Sequence, residues 1–309
     1  MTYSVRNMTK SVNVHLLDYP GAQQAAILGL RDMFETCNRL DLVRAQFQVS
    51  IVARPDACDV LVVGPSLGAG GPPPPDQARA EGLRRVHAGG TVLASACVGA
   101  FVLAGAGVLD GRPATTHWAL CELFAAQFPT VQLLPERLLV DDGDILTAGG
   151  VMAWTDLGLR LIERFQGPSR MRALARHLLL DPARREQSYY MRFSPRLNHG
   201  DALVLSVQHL LHRIYRDPVN VAAMARHAGL GGRTFLRRFR AATGQTPLAY
   251  LQNLRIARAQ EALETTSAPV AEIAWSVGYR DAPAFSRLFL QRVGLTPGQF
   301  RRRFGDLSK

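Results

Sequence analysis

The sequence predicts an α/β domain with a mostly parallel sheet, followed by an all-α domain. Three observations carry this. Through the first half, short apolar runs of strand length alternate with helix-periodic stretches. From about residue 200 no strand-like run occurs, and apolar residues recur at three and four. Within that second half, a block of residues repeats at an offset of 50.

In the first half, "SVNVHLLDY" (11–19), "FQVSIVAR" (47–54) and "CDVLVVGP" (58–65) are strand-length apolar runs. Between the first two, Ile27, Leu30, Phe34 and Cys37 recur at helical spacing. "GAGGPPPPDQ" (68–77) reads as a loop, because its prolines fit neither a helix interior nor a central strand; helix resumes from about Asp76. "GTVLASA" (90–96) is a fourth strand and "VGAFVLAGAGVL" (98–109) a helix. "DILTAGG" (144–150) is a late strand, and "AWTDLGLRLIERFQG" (153–167) a helix closing on Gly167. The join falls at "SYYMRFSPRLNHGD" (188–201), polar with a Pro and a Gly. The expected domains are 1–195 and 203–304.

The bulk numbers describe a globular chain: 309 residues, 47% hydrophobic and 20% charged. The longest apolar runs fall short of the ~18 residues of a membrane span, and no membrane partner is expected. The N-terminal "MTYSVRNMTKSVNVHLLDYP" lacks a leader's basic-then-apolar layout, so a cytoplasmic chain is expected. Cys37, Cys58, Cys97 and Cys121 form no C-x-x-C pair and read as reduced thiols. His177, His199, His209, His212 and His227 have no partner at ligand spacing, so no metal site is expected. Neither a P-loop nor G-x-G-x-x-G occurs, and no cofactor is expected. Net charge is +11 and is concentrated: residues 200–309 hold 16 Lys and Arg against 7 Asp and Glu, residues 1–199 hold 20 against 18. A basic domain points to a polyanionic partner such as double-stranded DNA.

In the repeat, Phe235, Arg237, Phe239, Gly244, Thr246 and Pro247 recur as Phe285, Arg287, Phe289, Gly294, Thr296 and Pro297. Tyr250 recurs as Phe300, and "MARHAGL" (224–230) answers "IAWSVGY" (273–279). Each unit reads as helix, glycine turn, helix, at about 219–242 and 268–292. The phenylalanines at i, i+4 share a face and read as core. The rest of each second helix then faces DNA: Arg233, Thr234, Arg237 and, toward the flank, Arg238; then Arg280, Asp281, Ser286 and Arg287. Asp281 is also an N-cap candidate. "PLAYLQNLRIARAQEALETT" (247–266) is a long helix, with Leu251, Leu254, Ala257 and Leu263 along one side, that joins the two units. Two recognition helices on one chain fit successive major grooves, about 34 Å apart.

"AEIAWSVGYRDAPAFSRLFLQRVGLTPGQFRRRF" (271–304) resembles the C-terminal signature of AraC/XylS transcription regulators, and "RTFLRRFRAATGQTPLAYLQNLRIARAQEAL" (233–263) matches the preceding part of the same domain. Gly231 and Gly232 stand where that family commonly has a Ser. "GTVLASACVGAFVLAGAGVLDGRPATTHW" (90–118) resembles the PfpI-type, class I glutamine-amidotransferase-like domain, as do "LLDYPGAQQAAILGLRDMF" (16–34) and "DILTAGGVMAWTDLGLRLIERFQG" (144–167). The resemblance implies a flavodoxin-like sandwich acting as a sensor and homodimerisation domain. It also implies an operator in double-stranded DNA, a small nitrogenous effector (an amino acid or a quaternary amine), and RNA polymerase as partner if the chain activates transcription.

Cys97 sits at a strand-to-helix corner, where nucleophilic enzymes place a thiol, and at the N-terminus of the following helix. His117 is the histidine in the matching "TTHW" position and could approach it, but no acidic residue adjoins it to complete a triad. The PfpI-type enzymes put a histidine directly after the cysteine, where Val98 stands here. Some relatives carry a glutamate in the first helix, where Gln23 and Gln24 stand here. The expected reading is therefore a non-catalytic corner bordering an effector pocket, at the C-terminal ends of parallel strands. Asp18, Tyr19, Gln23, Cys97, Val98, His117 and Trp118 are its candidate walls, with Pro20 and Gly64 beside them. Tyr19, Trp118 and Asp18 offer an aromatic and acidic wall to a cation. Two alternatives are a cysteine-dependent amidohydrolase or glyoxalase-like enzyme at Cys97, and a redox-sensing regulator using a Cys97 of lowered pKa.

Overall fold

A computed structural model describes residues 10–40, 45–68, 71–182 and 186–305. Residues 1–9 of the N-terminal stretch, and 69 and 70 of the proline loop, lie outside the described residues. The chain divides into two compact units, Met1–Gln187 and Ser188–Lys309. The division precedes the expected limit of 195, because Tyr190 packs on Phe304 (ring centroids 5.5 Å apart) and Phe193 on Tyr250 (5.0 Å). Among the described residues no helix is long and apolar enough to cross a membrane.

The first unit runs β1 (Lys10–Leu17), α1 (Gln24–Arg39), β2 (Ala45–Val52), β3 (Val60–Val63), α2 (Gln77–Ala88), β4 (Val92–Ala96), α3 (Gly99–Gly105), β5 (Pro113–Ala114), α4 (Cys121–Gln127), β6 (Gln132–Leu133), β7 (Leu139–Asp141), β8 (Ile145–Ala148), α5 (Trp154–Gln166) and α6 (Pro168–His177). The sheet order is β2-β1-β3-β4-β8-β7, parallel except for the antiparallel edge strand β7. Strand β3 is buried throughout, which is why it reads as an unbroken apolar run. The apolar spacing of α1 buries Ala26, Ile27, Leu30, Met33, Phe34 and Cys37. Asp76 caps α2, accepting from the Arg79 N–H at 2.9 Å, and α5 stops at Gly167. The β5–β6 ribbon and β7 are absent from the sequence reading, because two or three residues carry no measurable alternation.

The second unit is helical: α7 (Ala202–Ile214), α8 (Val221–His227), α9 (Gly232–Thr243), α10 (Pro247–Thr265), α11 (Val270–Ser276), α12 (Ala282–Val293) and α13 (Pro297–Phe304). It holds two cores. One gathers Val204, Val207, Leu211, Met224, Phe235, Phe239, Tyr250, Leu251 and Leu254. The other gathers Ile256, Ala259, Leu263, Ile273, Ala274, Val277, Phe285, Phe289, Val293 and Phe300. Helix α10 serves both. At 3.6 residues per turn, Leu251 and Leu254 lie nearly opposite Ile256, Ala259 and Leu263. The single stripe expected along Leu251, Leu254, Ala257 and Leu263 is therefore corrected: Ala257 is half-buried and Leu263 belongs to the other core.

The repeated residues take equivalent places. Phe235, Phe239, Phe285 and Phe289 are fully buried, as core rather than base-stacking surface. Thr246 and Thr296 cap α10 and α13 through their hydroxyls, each with a Pro at the helix start. The turn between α11 and α12 needs Gly278: its φ is 90°, and a Cβ there would stand 2.5 Å from the Arg216 carbonyl oxygen. Replacing Phe289 by Ala is expected to cost about 3–5 kcal/mol of stability, measured by urea denaturation.

Candidate functional site

The corner forms because β4 turns directly into α3. Gly99, in the first turn of α3, lies against β3 so closely that a Cβ would overlap the Val63 carbonyl oxygen. Cys97 absorbs the reversal with φ at 55°, in the left-handed region that a non-glycine residue rarely adopts. Its N–H donates to the Ala148 carbonyl at 2.8 Å, and its carbonyl accepts from the Thr116 hydroxyl at 2.8 Å. This is the backbone of a nucleophile elbow.

Around it the expected residues assemble in part. The Tyr19 hydroxyl donates to the Gly64 carbonyl at 2.7 Å, and the Arg79 guanidinium lies 5.2 Å over the Tyr19 ring. The Gln23 N–H donates to the Pro65 carbonyl at 2.8 Å. Gln23 is 8% exposed, and its Oε1 accepts no hydrogen bond among the described residues. Asp18 points elsewhere, accepting from Gln24 Nε2 at 3.0 Å. Val98 is buried. His117 serves its own turn. Its Nδ1 accepts from the Ala119 N–H at 3.2 Å, capping the turn Trp118–Leu120, and its ring stacks on Trp118 at 5.6 Å. Among the described residues no hydrogen bond joins His117 to Cys97; the loop meets the corner through Thr116 instead.

The electrostatics weigh against the redox alternative. Burial pushes the Cys97 thiol up from its ordinary 9.0 to about 11, and the Val98 N–H only partly opposes this. The redox reading needed a lowered pKa; burial outweighs the helix N-terminus because α3 is short and the thiol is 3% exposed. Burial also lowers the His117 pKa. A hollow of about 760 Å³ in this unit lies along the proline loop, Arg79, Phe101 and Phe128, and none of the seven expected wall residues lines it. Sequence reasoning missed Thr115, Thr116, Gly149 and Gln187 at the corner. The 2%-exposed Gln187 side chain accepts from the Trp118 N–H at 3.1 Å and donates to Thr115 Oγ1 at 3.0 Å. A lone Gln before a predicted linker carries no signal of this.

In the second unit, Arg233, Thr234, Leu236, Arg237 and Arg240 are exposed on α9. Among the described residues the side chains of Arg233, Arg237 and Arg240 have no hydrogen-bond or ion-pair partner. Arg238 is withdrawn from that set: Asp201, the cap of α7, holds its Nε and Nη2 at 2.9 Å each. At α12, Arg280 and Arg287 are exposed and unpaired among the described residues, and Ser286 is half-buried. Asp281 is the cap, accepting from the Ala284 N–H at 3.1 Å through Oδ1, one of its two carboxylate oxygens. Gly231 caps α9 with no side-chain bond.

A parallel α/β unit with a nucleophile elbow, followed by a doubled helix-turn-helix with free arginines on both second helices, defines a two-domain transcription regulator. The DJ-1/PfpI family matches residues 37–164, and a helix-turn-helix domain matches residues 224–303. The HTH-type transcriptional regulator GlxA of Rhizobium meliloti is 30% identical over 237 residues, covering 72% of this chain and 69% of the relative. The HTH-type transcriptional regulator CdhR of Pseudomonas aeruginosa is 28% identical over 220 residues, 71% of this chain and 65% of the relative. The chain thus spans about two thirds of the length of these regulators. An isonitrile hydratase of Pseudomonas putida is 30% identical over 171 residues, 51% of this chain and 73% of the relative. The chain belongs to the AraC-type HTH transcriptional regulators that carry a DJ-1/PfpI domain.

Two outcomes follow from this geometry. Alkylation of Cys97, followed by mass spectrometry against pH, should stay slow at neutral pH and rise only toward pH 11, since thiolate forms as pH rises through the raised pKa. Gly99→Ala should destabilise the first unit by about 1–3 kcal/mol, read by urea denaturation, because the added methyl meets backbone.

Proposed function

We propose that this chain is a sequence-specific DNA-binding regulator whose DJ-1/PfpI unit binds a small metabolite at the Cys97 corner. The observation that carries the reading is the pair of second helices, α9 and α12, with Arg233 and Arg237 exposed on one, Arg287 on the other and Arg280 just before the α12 cap, their side chains unpaired among the described residues. Free guanidinium groups on an exposed helix face suit phosphates and guanine edges. A homodimer through the first unit would present paired DNA units to a two-part operator. A metabolite that binds one arrangement of the dimer better shifts the population toward it. RNA polymerase is the further partner if the outcome is activation.

At the corner, the unpartnered Gln23 Oε1 favours an effector with an N–H group. An amino acid fits that requirement. A quaternary amine has no N–H to offer and would rely on the aromatic faces of Tyr19 and Trp118. A cysteine-dependent enzyme is the second reading, favoured by the left-handed Cys97 and by the likeness to an isonitrile hydratase. The raised thiol pKa and the engagement of His117 elsewhere count against it.

Duplex binding should weaken steeply with salt. Arg237→Ala and Arg287→Ala should each lower affinity for a duplex selected by the full chain. A base-reading arginine costs about 1–3 kcal/mol and relaxes one position, whereas a phosphate-holding one lowers the salt slope by about one. Arg238→Ala should leave the slope unchanged and lower the melting temperature instead. Weak, salt-independent association would sink the DNA reading. For the effector, L-arginine and glycine betaine are the probes in thermal-shift measurements. A ligand at a hundred times its Kd adds about 2.7 kcal/mol of stability. L-Arginine is expected to raise the melting temperature and to lose this effect in Gln23→Leu.

A further inference from the structure

Helix α10 carries an arginine between its two core faces. At about 100° per residue, Arg255 falls midway between Leu254, in the first core, and Ile256, in the second. Its Nε donates to the Tyr215 carbonyl at 2.7 Å and its Nη2 to the Asp217 carbonyl at 2.8 Å. Both carbonyls lie in the turn that leads from α7 into α8. The same guanidinium lies 5.3 Å over the ring of Tyr279, in the turn that leads from α11 into α12. Gly278 closes the joint: a Cβ there would stand 2.5 Å from the Arg216 carbonyl oxygen and 3.0 Å from Arg255 Cζ.

One side chain therefore joins the entry to α8 with the entry to α12. Its partners are carbonyl dipoles along the guanidinium edge and a ring beneath its face, and both fix direction. Helix α10 by itself sets the distance between the two cores, because each is packed on one of its faces. A body packed along one helix can still rock about that helix. A second attachment away from the axis removes the freedom, and Arg255 with Gly278 supplies it.

We infer that Arg255 is the positioning residue that locks the angle between the two helix-turn-helix motifs, and that it makes the chain selective for the spacing of the two subsites it reads. The inference rests on the reading of α9 and α12 as DNA-reading helices. One inserted base pair moves the second subsite by about 3.4 Å along the duplex and turns it by about 35°. A locked pair of helices cannot follow that displacement. A pair free to rock follows part of it, and binds the native spacing less tightly because it is no longer preorganised.

The test measures Kd of the full chain for a duplex that the chain selects from a random-sequence library, with the two subsites located by hydroxyl-radical footprinting. Duplexes with one base pair inserted or deleted between the subsites give a spacing penalty, the ratio of their Kd to that at the native spacing. The wild-type chain is expected to show a penalty of about tenfold or more, since a misplaced helix loses several base contacts. Arg255→Met keeps an apolar stem and loses the fork. It is expected to bind the native spacing about threefold more weakly and to show a penalty of about threefold or less. Arg255→Lys should narrow the penalty in the same way, because an ammonium cannot span both carbonyls and cover the ring. A merely structural arginine would lower melting and weaken binding by one factor at every spacing, leaving the penalty unchanged. A phosphate-holding arginine would lower the salt slope by about one in the Met variant but not in the Lys variant, again with the penalty unchanged. Either result overturns the inference, as does a wild-type chain indifferent to spacing. If Arg255→Met does not fold, Tyr279→Leu removes the ring beneath the guanidinium and must narrow the penalty instead. Failure to select any duplex removes the DNA reading itself, whereas a selected duplex with an unchanged penalty removes this inference alone.

Discussion

The turn from β4 into α3 is the constraint around which the first unit is arranged. With Gly99 pressed on the Val63 carbonyl, the reversal has to be completed at Cys97, which accepts a left-handed backbone. Such a conformation persists only where neighbours hold it. Here the Ala148 carbonyl takes the Cys97 N–H and the Thr116 hydroxyl holds its carbonyl. Those two contacts bring β8 and the 115–118 loop to the corner. Gln187 then fills the space between them. The corner, the loop after it and the exit of the chain are consequences of one tight crossing.

The left-handed backbone of the corner carries a thiol that burial holds neutral. A thiol serves as a nucleophile when it is charged, and charge needs solvent or a partner. At Cys97 burial raises the pKa with only the Val98 N–H opposing it, and the imidazole of His117 caps its own turn. The proposed effector site rests instead on Gln23, buried with its Oε1 unbonded among the described residues, and on the buried Tyr19. Recognition needs such preformed polar groups in a mostly apolar setting.

In the second unit the corresponding constraint is α10. Its two nearly opposite faces each complete a core, Tyr250, Leu251 and Leu254 on one side and Ile256, Ala259 and Leu263 on the other. Neither helix-turn-helix has a full core without it. The spacing of α9 and α12 is therefore set by a shared rigid element. The charge on these helices is sorted by neighbours rather than by type. Arg237 and Arg287 are free among the described residues, whereas Arg238, adjacent to Arg237 in sequence, is neutralised by Asp201 from α7.

The sequence by itself determined the class of each unit and the location of both second helices. Phe235 and Phe239, their counterparts 50 residues on, and the glycine turns are local signals, and a helix-turn-helix is built from contacts a few residues apart. The Cys97 corner was readable for the same reason, as a strand running straight into a helix. Only the tertiary structure decided what the corner's groups do. The sign of the Cys97 pKa shift is a matter of how much protein surrounds the thiol, and burial is a property of the whole packed unit. His117 turned to its own loop, Arg238 found a carboxylate 37 residues away, and Gln187 met Thr115 across 72 residues. Contacts of that sequence separation leave no periodicity to read, because they exist only once the chain has closed on itself.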